Sequence, residues 1–177
     1  MEAEALLDAL DARSGLVCFV GAGGKKTTMY RLADMHPGRV GITATAHIPF
    51  FPKTLRVAKV IAPEGDILPG VLSELSHQDK VAFAQPSEKH GRFAGLEPSL
   101  VGRIQAKAGF DVVLIKADGA RSRWIKAPND IEPQIPPSTR VVIPVVSARV
   151  IGEKLSEKIA HRVDRIEAIC GVSDGQT

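Results

Sequence analysis

Cysteine is scarce in this sequence: Cys18 and Cys170 are all it holds. Two are too few for a disulfide framework, and their spacing is not that of a metal clip. Both are expected to be buried small hydrophobes. Aromatic residues are also few, 5% of the chain with one Trp and one Tyr. RNA and single-strand binders display stacking aromatics, so no nucleic-acid partner is expected. No apolar run approaches the ~20 residues that span a bilayer, so no membrane partner is expected either. The first residues carry Glu2, Glu4 and Asp8, unlike a secretory signal or transit peptide. The expected location is the cytoplasm. Long-period repeats and low-complexity tracts are missing too.

What is present is ordinary for a folded domain. The 177 residues suit one domain and can bury a sizeable core without staples. Hydrophobic residues make up 44% and charged residues 24%, both usual values. The net charge of +3 and the pI near 9.0 suit an anionic partner, although net charge speaks to encounter rather than fold.

Helical spacing over residues 2–12 puts Leu6, Leu7 and Leu10 on one face. Leu16 to Val20 (LVCFV) is a continuous apolar run between Gly15 and Gly21, as in a strand buried on both faces of a parallel sheet. Helical spacing returns over 26–35, with Met29, Leu32 and Ala33 inward and Pro37-Gly38 as a stop. Strands are expected over 39–45, 57–62, 80–84, 111–117 and 141–146. Helices are expected over 70–77, 98–108, 153–160 and 163–170. The segments 48–52 and 87–96 read as loops. So does 121–138, with its four prolines. Short apolar strands alternating with helices predict an α/β fold with a mainly parallel sheet. Ligands of such sheets sit beyond the carboxyl ends of the strands. Here those segments, 21–27, 43–52, 85–95 and 118–133, hold most of the Gly, Pro, Lys, Arg and His able to do chemistry.

The sharpest signal is FVGAGGKKTT at 19–28. A strand ends, Gly21, Ala22, Gly23 and Gly24 turn, and Lys25, Lys26, Thr27 and Thr28 open a helix. Backbone N–H groups in such a turn form an anion nest, and the helix adds its positive end. A lysine there serves β- and γ-phosphates, and a threonine hydroxyl can ligate Mg²⁺. The strict pattern G-x-x-x-x-G-K-[ST] is not met. With Lys25 as the phosphate lysine, Gly24 precedes it correctly, but Phe19 holds the first glycine position and Lys26 the magnesium-ligand position. With Lys26 in that role, Thr27 follows correctly, but Lys25 and Val20 replace the two glycines. Both registers stay open, as does a plain turn with solvated lysines. A dinucleotide fingerprint would need Gly at 26 and an acidic residue after the second strand, and has neither.

VVLIKAD at 112–118 has the form of a strand delivering an aspartate to Mg²⁺; Asp118 as a turn residue before Gly119 is the other reading. Arg121, Arg123 and Lys126 follow, either as contacts for phosphate or an acidic substrate or as a solvated basic loop. Glu132 reads as a fixed polar group or a loop anchor. Thr43, Thr45 and His47 could touch a γ-phosphate or Mg²⁺, or simply serve a strand. His161-Arg162 reads as a surface pair opening a helix.

Taken together and in order, VGAGGK at 20–25, TATAH at 43–47, GRFAGL at 91–96, ADGAR at 117–121, KAP at 126–128, Glu132-Pro133, Ile135-Pro136 and His161-Arg162 resemble the YqeC family, accessory proteins of selenium cofactor biosynthesis. The resemblance implies a P-loop NTPase-like three-layer fold, nucleotide binding and a role in maturing selenium-dependent molybdenum hydroxylases. Against the family pattern, Lys116 stands where Glu is expected. Lys25-Lys26 stands where one Lys precedes Thr, which moves the magnesium ligand to Thr27. The family also continues past a point like Thr177, so 1–177 reads as a single nucleotide-binding domain lacking a C-terminal portion.

The expectation is therefore a protein binding ATP or GTP with Mg²⁺. Gly21, Ala22, Gly23, Gly24, Thr28, Arg121 and Lys126 would join Lys25 or Lys26 around the nucleotide. Thr27 and Asp118 would hold the metal. Lys25, Lys26 and Asp118 are the catalytic candidates if the protein is an NTPase or phosphotransferase. The expected partners are the nucleotide and a selenium-dependent molybdenum hydroxylase or its cofactor machinery. The alternatives are a small-molecule kinase and a non-hydrolysing, nucleotide-gated scaffold.

Overall fold

The apolar run from Leu16 to Phe19 is excluded from solvent along its whole length, and it lies at the heart of a sheet. The computed structural model describes residues 2–173 and 175–177. In chain order the elements are α1 (Glu2–Ala9), β1 (Gly15–Gly21), α2 (Lys25–Met35), β2 (Val40–Ala44), β3 (Ile48–Pro49), β4 (Ala58–Ile61), α3 (Glu64–Leu75), β5 (Lys80–Ala84), β6 (Arg92–Phe93), α4 (Pro98–Ala108), β7 (Val112–Lys116), β8 (Ile125–Lys126), β9 (Thr139–Val145), β10 (Ala160–His161) and α5 (Val163–Cys170).

Six strands form the central sheet in the order β4-β5-β2-β7-β1-β9. Each neighbouring pair is parallel. Side chains alternate across it as the strand period of two requires. Val17 and Phe19 join the cluster with Met29, Leu32 and Ala33 of α2 and Leu7 of α1. Leu16 and Cys18 join the opposite cluster with Ile67 and Val71 of α3 and Val101 and Ile104 of α4. Helices thus cover both faces, and the fold is the expected three-layer α/β arrangement. Ends are set locally: α2 stops at His36, extended ahead of Pro37. In α4 the Glu97 carboxylate caps Ser99 and Leu100, and Gly109 closes the helix in the left-handed conformation.

The chain leaves β1 through α2 toward β2, and leaves β7 past β1 toward β9. These adjacent strands send their connections to opposite sides, so their carboxyl ends open a crevice of the kind in which α/β sheets bind ligands.

Several expectations need correction. Residues 153–160 are not a helix. Leu155 and Ile159 are buried there, with Ala127, Ala160 and Ile166, in a small third cluster. The backbone of Leu155 pairs with Gly175 and Gln176 instead of its helical neighbours. The helix expected from residue 70 begins at Glu64 and carries Pro69 inside it. Ile67, Val71 and Leu75 stand four apart on its buried side, enough apolar contact to keep a turn that one missing hydrogen bond weakens. The loops at 48–52 and 87–96 contribute the antiparallel pair β3 and β6, and 121–138 contains β8, which pairs with β10. Cys18 is buried as expected, but Cys170 is exposed. No helix among the described residues is long and apolar enough to cross a membrane.

Candidate functional site

Only Ala22, Gly23 and Gly24 separate the end of β1 from the start of α2. Gly21 has φ +88°, and a Cβ on it would lie 2.4 Å from the Val145 carbonyl oxygen. Gly23 has φ +75°, and its Cβ would lie 2.5 Å from the Cβ of Ser147. Any other L-residue is excluded at both by backbone and by space. The turn is pinned on one side, where the buried Ala22 donates its N–H to Val145 O at 2.8 Å. Gly24 caps α2 without a side-chain hydrogen bond. The first-turn N–H groups of Lys25, Lys26 and Thr27 therefore lack an intrahelical acceptor and carry the positive end of the helix.

The two lysines part company here. Lys25 is 5% exposed. Its Nζ lies 2.8 Å from Asp118 Oδ1 and donates to Gly21 O. Lys26 is exposed. Burial pulls the pKa of Lys25 down, with Asp118 opposing the shift. Asp118, beyond the end of β7, is 2% exposed. Its Oδ2 accepts from Gly21 N–H at 2.9 Å and faces Lys126 Nζ at 3.1 Å. Lys126 is committed further, to Glu132 Oε2 at 2.8 Å and Gly119 O at 2.5 Å. Arg162 reaches the same Glu132 oxygen at 3.0 Å and Ala127 O at 2.9 Å. Burial would raise the Glu132 pKa, but Lys126 and Arg162 together hold it below the usual range.

Lys116 is the unexpected member. It is buried at the end of β7, and its Nζ donates to His47 O at 2.7 Å and Asp118 O at 2.6 Å. Burial first, and the Lys25 ammonium second, bring its pKa down to about 7.

In front of Lys25 opens a cleft of about 220 Å³. Gly23, Gly24, Lys26 and Thr27 form one wall and Gly119 to Trp124 another. The lining carries Lys25, Lys26, Arg92, Lys116, Arg121 and Arg123 and, among the described residues, no carboxylate. Arg121 and Ser122 adopt left-handed backbone, φ 47° and 61°, where the chain turns after Asp118-Gly119. Trp124 lies under the Arg149 guanidinium, 5.9 Å from its ring centre.

Other expected residues are occupied elsewhere. Thr28 Oγ1 turns back to Gly24 O at 3.3 Å. Thr43 donates to Phe83 O at 2.7 Å and Thr45 to Gln134 O at 2.5 Å, so both serve the sheet and its loops. Lys126 is an internal clamp whose side chain is 1% exposed. Glu132 is the fixed polar group of the two readings given for it. His161-Arg162 is not a surface pair: Arg162 points inward to Glu132.

Mg²⁺ is held through one or two carboxylates together with substrate phosphates. Asp118 is the carboxylate nearest the glycine turn, and Lys25, Lys126 and Gly21 N–H already face it. Its Oδ1 accepts no aligned hydrogen bond, yet it has the Lys25 ammonium against it. A divalent cation there would stand among ammonium groups. The residues present do not suit a resident Mg²⁺ at Asp118, although the Thr27 hydroxyl remains open. No group of three or more His, Cys, Asp or Glu among the described residues is placed to hold a metal ion.

Comparison with known proteins decides the family. The family model described as YqeC protein matches residues 17–164, which take in the glycine turn, the Asp118 loop and Arg162. The chain belongs to the YqeC family. It is 32% identical over 170 residues to the uncharacterized protein YqeC of Escherichia coli (strain K12). That alignment covers 93% of this chain and 64% of the relative. No solved structure matches.

Within this YqeC-family chain, sequence reasoning missed Arg162, Arg92 and Trp124 as site residues. Arg92 had a legible signal, as it lies beyond a strand end beside Gly91. Arg162 was marked only as part of a motif carrying the resemblance, since its role depends on β10 pairing with β8 and bringing it to Glu132.

Proposed function

We propose that this YqeC-family protein binds a nucleoside triphosphate, ATP or GTP, with its phosphates against the Gly21–Gly24 turn and the first turn of α2. The observation that carries the reading is the place of Lys25. Its buried ammonium lies at the switch-point crevice, at the foot of the glycine turn and beside the open N–H groups of the first turn of α2. In this reading Lys25 serves the β- and γ-phosphates, and an arriving phosphate competes with Asp118 for it. Lys26, Arg121 and Arg123 face the same cleft and neutralise the remaining charge. One charge-assisted hydrogen bond contributes about 1.5–3 kcal/mol, roughly ten- to hundredfold in affinity.

The biological setting proposed is that of an accessory factor for selenium-dependent molybdenum hydroxylases. Support for it comes from the ordered motifs that carry the family resemblance. Lys116 and the occupied Asp118 favour a non-hydrolysing, nucleotide-gated scaffold over an NTPase, because among the described residues no free carboxylate faces the cleft to orient a water or acceptor. Calorimetric titration with ATP and GTP, run beside a phosphate-release assay, tests both levels. Binding with negligible release supports the scaffold, and sustained release moves the assignment to an NTPase. A folded protein that binds neither nucleotide overturns the reading.

A further inference from the structure

Phosphate sites in nucleotide-binding proteins usually neutralise their ligand with Mg²⁺ as well as with cationic side chains. The charge inventory of this site departs from that arrangement. Lys25, Lys126 and Arg162 are gathered around two carboxylates among the described residues, Asp118 and Glu132. Both oxygens of Asp118 are taken, Oδ1 by Lys25 at 2.8 Å and Oδ2 by Lys126 at 3.1 Å and Gly21 N–H at 2.9 Å. Lys116 faces carbonyl oxygens only. The adjoining cleft adds Lys26, Arg92, Arg121 and Arg123, with no carboxylate among the described residues of its lining. Positive charge is thus in surplus where the phosphates of the proposed nucleotide would lie. Among the described residues, the acid close enough to hold a metal, Asp118, is locked between two ammonium groups.

We propose that this site takes the phosphates of its nucleotide free of divalent metal, with lysine and arginine side chains supplying the positive charge that Mg²⁺ supplies elsewhere. The inference rests on the nucleotide reading above and deepens it: the ligand is the metal-free polyphosphate anion. Lys25 flanks the phosphates from the sheet side, and Arg121 and Arg123 from the opposite wall. Mg²⁺ would then lower affinity, since it neutralises in solution the anion that the cleft is built to hold.

The test is calorimetric titration of the full chain with ATP, GTP and inorganic triphosphate, once in excess EDTA and once in excess Mg²⁺. The proposal expects affinity in EDTA to exceed that in Mg²⁺, with triphosphate alone binding measurably. Arg121→Ala and Arg123→Ala, both outside the buried ion-pair network, are expected to weaken EDTA binding several-fold each. Affinity in EDTA equal to or lower than that in Mg²⁺ overturns the metal-free proposal and leaves the nucleotide reading standing. Loss of all binding in both buffers by a folded protein overturns that reading and the proposal with it. Unchanged EDTA affinity in both arginine variants overturns the placement of the phosphates in this cleft.

Discussion

Lys25 Nζ stands 2.8 Å from Asp118 Oδ1, tying the first residue of the helix after the glycine turn to the end of the neighbouring strand. The pair spans the point where the chain leaves β1 and β7 in opposite directions. It fixes the geometry of the turn, because Asp118 also accepts from Gly21 N–H. Both partners are nearly excluded from water, so neither is a screened surface charge.

The clamp behind this pair is expected to be structural. Lys126→Met leaves Asp118 with one ammonium and Glu132 with Arg162 alone. Removing one partner of a buried ion pair costs about 3–5 kcal/mol. Urea denaturation is expected to show an unfolding free energy lowered by that amount, whereas Lys26→Met, on an exposed residue, is expected to leave it unchanged.

The threonines separate in the same way. Thr43→Val removes a buried hydrogen bond to Phe83 O and is expected to cost about 1 kcal/mol of stability with nucleotide affinity unaltered. Thr27→Ala touches an exposed hydroxyl on the cleft wall. It is expected to leave stability unchanged and to weaken nucleotide binding. Paired denaturation and calorimetry check both halves.

Lys116 gives a pH signature. Its pKa falls from 10.5 in the unfolded chain to about 7 in the fold. Below about pH 7 the amine is charged in both states, and the cost of burying that charge is fully present. Between about 7 and 10.5 the unfolded chain binds more protons than the folded one, so stability rises with pH. Lys25 shifts in the same direction. Lys116→Met is therefore expected to flatten the rise without abolishing it. Denaturation midpoints measured from pH 6 to 9 would show this, and an unchanged slope would contradict the buried placement of Lys116.

The sheet was legible because its strands are short apolar runs bounded by Gly, Pro or Asp, and LVCFV is buried over its first four residues. The glycine turn and Asp118 were legible because strand ends can be read from the same pattern. The failures have particular causes. Leu155 and Ile159 mimic one helical face, but they anchor an irregular segment whose hydrogen bonds go to residues 175 and 176. Pro69 hid the first turns of α3. Lys116 ends an apolar strand, and nothing local shows that the His47 and Asp118 carbonyls wait for its ammonium. The choice between Lys25 and Lys26 depended on which side chain faces β7, a matter of helix phase that the imperfect motif left open.

The central claim is that Lys25 is the lysine that meets the phosphates. Calorimetric titration of ATP and GTP into wild type, Lys25→Ala and Lys26→Ala, with folding checked by circular dichroism, tests it most directly. The account predicts that Lys25→Ala loses about tenfold or more in affinity, while Lys26→Ala loses clearly less. A folded Lys25→Ala protein that binds as wild type does, or a larger loss in Lys26→Ala, would contradict it.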